Sequence, residues 1–193
     1  PICGLIGGVA GCLVYLRVKR IPLLPAADLA LPFVPLAHAI GRIGCFLNGC
    51  CWGMPTDMPW GVTFPKSRWG VYAQHLKDGL VKADAPCALP VHPTQLYEMA
   101  GLLAIFAIMR YAYKHKSPYR DGSVMALYPL LYGILRSLVE DFRGDSGRPV
   151  FGLTVSQLIS LGMIAFAGML WALLKFFAWR KQTRDGLEPE SSQ

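Results

Sequence analysis

Charge is scarce in this chain: Asp, Glu, Lys and Arg make up 16% of its 193 residues, against roughly a quarter in an ordinary soluble domain. With 53% hydrophobic residues and a mean hydropathy of +0.37, that scarcity excludes a typical soluble globule and points to a membrane protein. Acidic groups are fewer than basic ones, 12 against 19, giving a formal net charge of +7. The basic residues stand in short clusters between apolar runs rather than over one face, which argues against a nucleic-acid partner. Six cysteines are too few for a disulfide scaffold, and the Cys-x-x-Cys spacing of a zinc finger is absent. An initiating Met and a signal peptide with a charged leader are lacking too, since the chain opens on Pro1 inside an apolar run. The expectation is a fragment or a late start, with upstream spans absent.

The apolar runs that are present predict an all-α, polytopic integral membrane protein with about five visible spans. Ile2 to Leu16 reaches only about 22 Å at 1.5 Å per residue, short of a hydrocarbon core of roughly 30 Å, and is closed by Arg17, Lys19 and Arg20. Leu29 to Leu47 contains Pro32, Pro35, His38, Gly41, Arg42 and Gly44, so it is expected as a kinked or broken helix that needs neighbours to satisfy its backbone. Three more spans are expected at about Gln95 to Met109, Gly122 to Val139 and Leu153 to Leu174. Residues 1–181 form one transmembrane domain on this reading, with an extracytoplasmic segment at about 50–92 rich in Pro and Trp. Residues 182–193 form a polar, disordered tail.

The Lys and Arg distribution orients these spans. Clusters at 17–20, 110–120 and 175–184 fall on one side, which the positive-inside rule makes cytoplasmic, together with the C-terminus.

Ionisable residues inside spans cost about 2.5 to 3.5 kcal/mol at mid-helix, so Arg42, Glu98, Arg136 and Glu140 are candidate functional groups. Tyr132, Arg136, Glu140 and Arg143 are spaced by four, four and three, which places them within an arc of about 80°. One reading of this stripe is an Arg136 to Glu140 ion pair tying helices together. The other is an anion site, because two arginines against one glutamate leave positive charge suited to a phosphate. In Gly41-Arg42-Ile43-Gly44-Cys45-Phe46-Leu47-Asn48-Gly49-Cys50-Cys51-Trp52-Gly53, small-residue packing accounts for the glycines but not for Arg42. His92-Pro93-Thr94-Gln95-Leu96-Tyr97-Glu98 opens a span, with Pro93 in a first-turn position and Glu98 free to position an arginine from a neighbouring helix. Cys45, Cys50 and Cys51 are a weak metal signal by spacing, and with Cys87 an external disulfide is the other reading. No metal and no cofactor are expected.

At these three blocks the sequence resembles the bacterial prolipoprotein diacylglyceryl transferases. The resemblance implies a seven-helix architecture in the bacterial inner membrane, of which the first spans are not in this chain. It implies transfer of the diacylglyceryl group of phosphatidylglycerol to the lipobox cysteine of a prolipoprotein, with release of glycerol 1-phosphate, in lipoprotein biogenesis. By that resemblance Arg42 binds phosphatidylglycerol, and Arg136 and Arg143 contact the head group and leaving group. Glu140 holds the arginines in register, while Tyr132, Asn48 and Gly49 shape the site, and His92, Gln95, Tyr97 and Glu98 line or brace its outer mouth.

The chain departs from the family at three positions: Cys45 where many members carry Asn, Cys50 where they carry Glu, and Ile2 where a His is proposed to be catalytic. His38, one turn before Arg42, is then the candidate base. Alanine at Arg42 or Arg136 is expected to abolish transfer and leave insertion intact. Two alternatives stand beside the enzyme: a non-catalytic phospholipid-binding relative, and a transporter of an anionic substrate.

Overall fold

The computed structural model describes residues 2–115, 122–143 and 152–185. These form seven helices: α1 (Ile2–Val18), α2 (Leu23–Ala30), α3 (Phe33–Leu47), α4 (Gly70–Lys77), α5 (Thr94–Lys114), α6 (Leu127–Glu140) and α7 (Val155–Asp185). No strand forms among the described residues, only isolated bridges. Prolines set several helix starts: Pro25, Pro35 and Pro129 each occupy the third position of α2, α3 and α6, where a missing N–H costs nothing.

Three helical segments are long and apolar enough to cross a membrane: Leu23–Leu47, Thr94–Lys114 and Val155–Phe177. The first is α2 and α3 joined through a turn at Leu31 and Pro32, so the expected break in this run is real. Helix α1 is apolar and short, as its run indicates, and one expected span differs: the fourth is a 14-residue helix, about 21 Å, preceded by a turn at 122–126. Gly122, at φ +85°, interrupts the helix there. The C-terminal helix also runs to Asp185, past the boundary expected at 182, and residues 186–193 of the expected tail lie outside the described residues.

The turn before α6 is held by a residue the sequence reading passed over. Asp28 is fully buried, and its two carboxylate oxygens accept the backbone N–H groups of Gly122 and Met125, each at 2.8 Å. Asp28→Ala strands both donors, and a loss of about 1–3 kcal/mol in stability is expected, measured as a shift in thermal unfolding in detergent. An unchanged melting curve would mean that the turn is held by other contacts.

Helix α3 packs on α5, α5 on α6, and α6 on α7. Gly133 allows the last of these contacts: a Cβ there would lie 2.9 Å from both Ser160 O and Ile164 Cγ1. At one end of the bundle, Leu24 and Leu174 both flank Gly122, so the start of α2, just after the 17–20 basic cluster, meets the part of α7 that leads into Lys175. At the other end, Gly53 N donates to His92 O at 3.0 Å and Met54 N to Phe142 O at 2.8 Å. Each of α3, α5 and α6 therefore reaches the end that carries the 50–92 segment. Gly53 is required at that junction, since a Cβ would meet His92 Cβ at 2.6 Å and Phe142 O at 2.7 Å.

The 50–92 segment has a small core of its own, with Val71, Tyr72, Ala88 and Val91 buried against Trp52 and Phe64. His75 is buried beside it, and its Nδ1 accepts the Leu89 N–H at 3.3 Å, which requires the neutral ring. Burial lowers its pKa below 6.5, and Asp78 only partly offsets this. The folded segment thus binds fewer protons than the unfolded one. Its stability is full above about pH 6.5 and falls as pH drops below that value. Limited proteolysis of the outer segment from pH 7 to pH 5 should show rising cleavage, and His75→Gln, which keeps an acceptor, should flatten that rise. A profile identical in the two proteins would exclude His75 as the titrating group.

Candidate active site

The site is built where α3, α5 and α6 meet. Arg42 sits one turn after His38 on α3, and its Nη2 donates to Glu98 Oε1 at 2.6 Å. Glu98 lies on the second turn of α5 and is 1% exposed, so this carboxylate depends on its partners for solvation. Tyr132 of α6 donates to the same oxygen at 3.2 Å, and His38 Nε2 stands 3.9 Å from it. The His38 and Tyr132 rings are 5.2 Å apart, and Tyr128 stacks on Tyr132 at 5.7 Å. One carboxylate of α5 thereby gathers groups from α3 and α6.

The α6 stripe continues toward the same outer end. Glu140 Oε2 lies 2.8 Å from Arg136 Nη2 and 3.8 Å from Arg143 Nε, and Arg136 Nη2 also donates to Ser156 Oγ of α7 at 3.0 Å. Both carboxylates are engaged, yet the arginines are not saturated. Arg42 Nε and Arg136 Nη1 are buried and have no hydrogen-bond partner among the described residues. A buried guanidinium N–H left unpaired costs free energy, so each nitrogen marks a place for an acceptor. Arg42 and Arg136 both act electrostatically on His38 and Tyr132, which places them in one cluster.

Glycines beside Arg42 are not packed. A Cβ on Gly41 or Gly44 would meet nothing within 4 Å, so close helix packing is not their role. Both residues are exposed. Gly49 is different: it has φ +64° and lies buried against Phe64. Asn48 caps α3 through its backbone while its side chain remains exposed.

The 92–98 block braces the turn that follows α3. Thr94 Oγ1 donates to Cys51 O at 2.8 Å and Gln95 Nε2 to Cys50 O at 2.7 Å. Tyr97 Oη accepts from Trp60 Nε1 at 2.8 Å and lies 3.2 Å from His92 Nδ1. His92, Tyr97 and Phe142 form an aromatic cluster, with centroids 5.4 to 6.1 Å apart. They line, with Met58, Trp60 and Leu138, an open cavity of 420 Å³ along α6. Two residues of the site escaped the sequence reading. Tyr128 was legible as the i−4 neighbour of Tyr132, whereas Ser156 carried no signal. The Ile2 side chain lies outside the described residues.

The cysteines of the α3 turn are brought together, against the weak signal of their spacing: the Sγ atoms of Cys45, Cys50 and Cys51 all lie within 4.8 Å of one another. The alternative of an external disulfide with Cys87 is not adopted. Cys45, Cys50, Cys51 and Cys87 are all free.

With this geometry in view, the comparison with known families is decisive. The family described as prolipoprotein diacylglyceryl transferase matches residues 3–173. The chain belongs to this family. Among its relatives, the phosphatidylglycerol--prolipoprotein diacylglyceryl transferase of Clostridium tetani is 36% identical over 92% of this chain and 64% of its own length. The protein of the same name in Finegoldia magna is 35% identical over 86% of this chain and 57% of its own length. That of Nitrosomonas europaea is 37% identical over 88% and 56%. The chain thus spans about six-tenths of the length of these curated relatives. Family membership and the apolar helices together make it a multi-pass membrane protein.

Proposed function

We propose that this chain carries the site at which the diacylglyceryl group of phosphatidylglycerol is transferred to the thiol of a prolipoprotein lipobox cysteine, with release of glycerol 1-phosphate. The observation that carries this reading is the pair of buried guanidinium nitrogens, Arg42 Nε and Arg136 Nη1, without hydrogen-bond partners among the described residues. The names of the relatives supply the substrates, phosphatidylglycerol and a prolipoprotein.

In the reaction the acceptor sulfur attacks a glyceryl carbon, the carbon–oxygen bond to phosphate breaks, and the phosphate departs with the electron pair. Charge grows on the leaving phosphate, where preorganised guanidinium donors lower the barrier. Arg42 and Arg136 are assigned to that phosphate. Glu98 and Glu140 fix their orientation, each from a buried position, and Arg143 adds positive charge at the outer end. His38 is assigned as the base that accepts the thiol proton. Its side chain is 29% exposed, so a thiol can reach it, and its Nε2 stands 3.9 Å from Glu98. The cavity lined by Trp60, Tyr97 and Phe142 suits the apolar residues that precede a lipobox cysteine.

The proposed setting is the bacterial inner membrane with the C-terminus cytoplasmic. The meeting at Gly122 of Leu24 and Leu174, close in the chain to Arg20 and Lys175, supports it.

The full-length protein, reconstituted with phosphatidylglycerol and a lipobox peptide, tests the reading. A diacylglyceryl mass gain on the peptide with stoichiometric glycerol phosphate release is the expected result. Bound phosphatidylglycerol without any mass gain would replace the enzyme with a non-catalytic lipid binder.

A further inference from the structure

Neither the phosphate site nor the apolar cavity uses the three thiols at the end of α3, yet the fold goes to some length to place them. Cys45 ends the last turn of α3, and Cys50 and Cys51 follow the Asn48-Gly49 cap, so the chain reverses direction to return the thiols to one another. That reversal needs left-handed backbone at both Gly49, φ +64°, and Cys51, φ +60°. For a residue with a Cβ this conformation is uncommon and costs of order 1–3 kcal/mol, and it persists only where the surroundings impose it. Here Thr94 and Gln95, buried on the first turn of α5, hold the carbonyls of Cys51 and Cys50. The strained turn is thus clamped to the same helix that carries Glu98.

The result is three Sγ atoms within 4.8 Å of one another, all half-buried and all unoxidised. Zn–S bonds of about 2.3 Å in a tetrahedron put sulfurs roughly 3.8 Å apart. A closure of about 1 Å is within the reach of small χ1 rotations, with no change in backbone. Cys50 Sγ at present faces Cys45 O at 3.6 Å, a weak contact that a metal bond readily replaces. Among the described residues no fourth His, Cys, Asp or Glu joins the group. Three thiolates around a divalent ion carry one net negative charge, and Arg42, three residues before Cys45, couples electrostatically to both Cys45 and Cys51.

We infer that Cys45, Cys50 and Cys51 form a three-thiolate site for a thiophilic d10 cation of the Zn2+ class, with the fourth coordination position open to an external ligand. Soft sulfur donors without any carboxylate select such an ion over Mg2+ or Ca2+. Bound there, the ion fixes the turn that follows α3, whose Cys50 and Cys51 carbonyls Gln95 and Thr94 of α5 already hold. Metal binding releases the thiol protons, so its affinity rises with pH.

The test reads metal rather than turnover, so it stands apart from the transferase reading. The full-length protein, purified in detergent without chelator or added thiol, should contain about one zinc per chain by elemental analysis. Co2+ added to metal-stripped protein should give sulfur-to-cobalt charge-transfer absorption together with the intense visible bands of a tetrahedral site. Cys45→Ser and Cys51→Ser should each lose that charge-transfer signal and retain less than a tenth of the zinc. Because the serine variants could be misfolded, the Co2+ titration of the wild-type protein is the deciding measurement. Absence of tetrahedral cobalt bands in reduced wild-type protein overturns the site. A two-hydrogen mass deficit mapped to two of these cysteines in the untreated protein, with no zinc, overturns it in favour of a disulfide.

Discussion

Replacing Arg42 with alanine is expected to cost both turnover and stability, and the two losses should separate in a double variant. Arg42 is assigned to the departing phosphate, and removing one such donor lowers a rate by about 10²–10³-fold. It is also the cationic partner of Glu98, at 2.6 Å, and Glu98 is 1% exposed. Deleting one member of a buried pair leaves an uncompensated charge and costs about 3–5 kcal/mol. This departs from the expectation that insertion and folding would be untouched, since the sequence does not reveal which residue Arg42 faces. Arg42→Ala combined with Glu98→Ala should regain most of the lost thermal stability while transfer stays abolished. Transfer near the wild-type rate in the double variant would remove Arg42 from the mechanism.

A second large effect is expected at Arg136, with a different balance. Arg136→Ala removes the guanidinium whose Nη1 lacks a partner among the described residues, and transfer should fall by about 10²-fold or more. The stability cost should be smaller than at Arg42, because Glu140 keeps Arg143 at 3.8 Å. Ser156→Ala is the comparison. It removes only the 3.0 Å hydrogen bond from Arg136, worth about 0.5–1.5 kcal/mol, and tests whether orientation from α7 matters to the rate. Equal kcat/KM for wild type and Arg136→Ala, measured on vesicles of phosphatidylglycerol with a lipobox peptide, would restrict Arg136 to a structural ion pair with Glu140.

The stripe on α6 was legible as far as Glu140 because helical spacing is rigid: residues four apart share a face wherever the helix lies, so Tyr132, Arg136 and Glu140 had to be neighbours. Arg143 lies beyond the last residue of α6, and its place 3.8 Å from Glu140 comes from the turn that pairs it with Gly53. The partner of Arg42 was not fixed in the same way. Glu98 is 56 positions away, and only the packing of α3 on α5 joins them. Glycine roles were ambiguous for the same reason. Gly53 and Gly133 are pressed against backbone, whereas Gly41 and Gly44 face open space, although composition treats all four alike.

By itself the sequence determined the membrane class, the three constellations and the family, because hydropathy, intramembrane charge and short motifs are local properties of the chain. The break at Pro32 was equally local, since proline lacks the N–H that the helix needs. Tertiary structure decided where the fourth span begins, because Asp28 captures the Gly122 and Met125 N–H groups and holds a turn that hydropathy reads as helix. It also decided the state of the cysteines. Their spacing is uninformative, but a clamped left-handed turn returns Cys50 and Cys51 to Cys45, and convergence of that kind depends on backbone geometry that residue order does not encode directly.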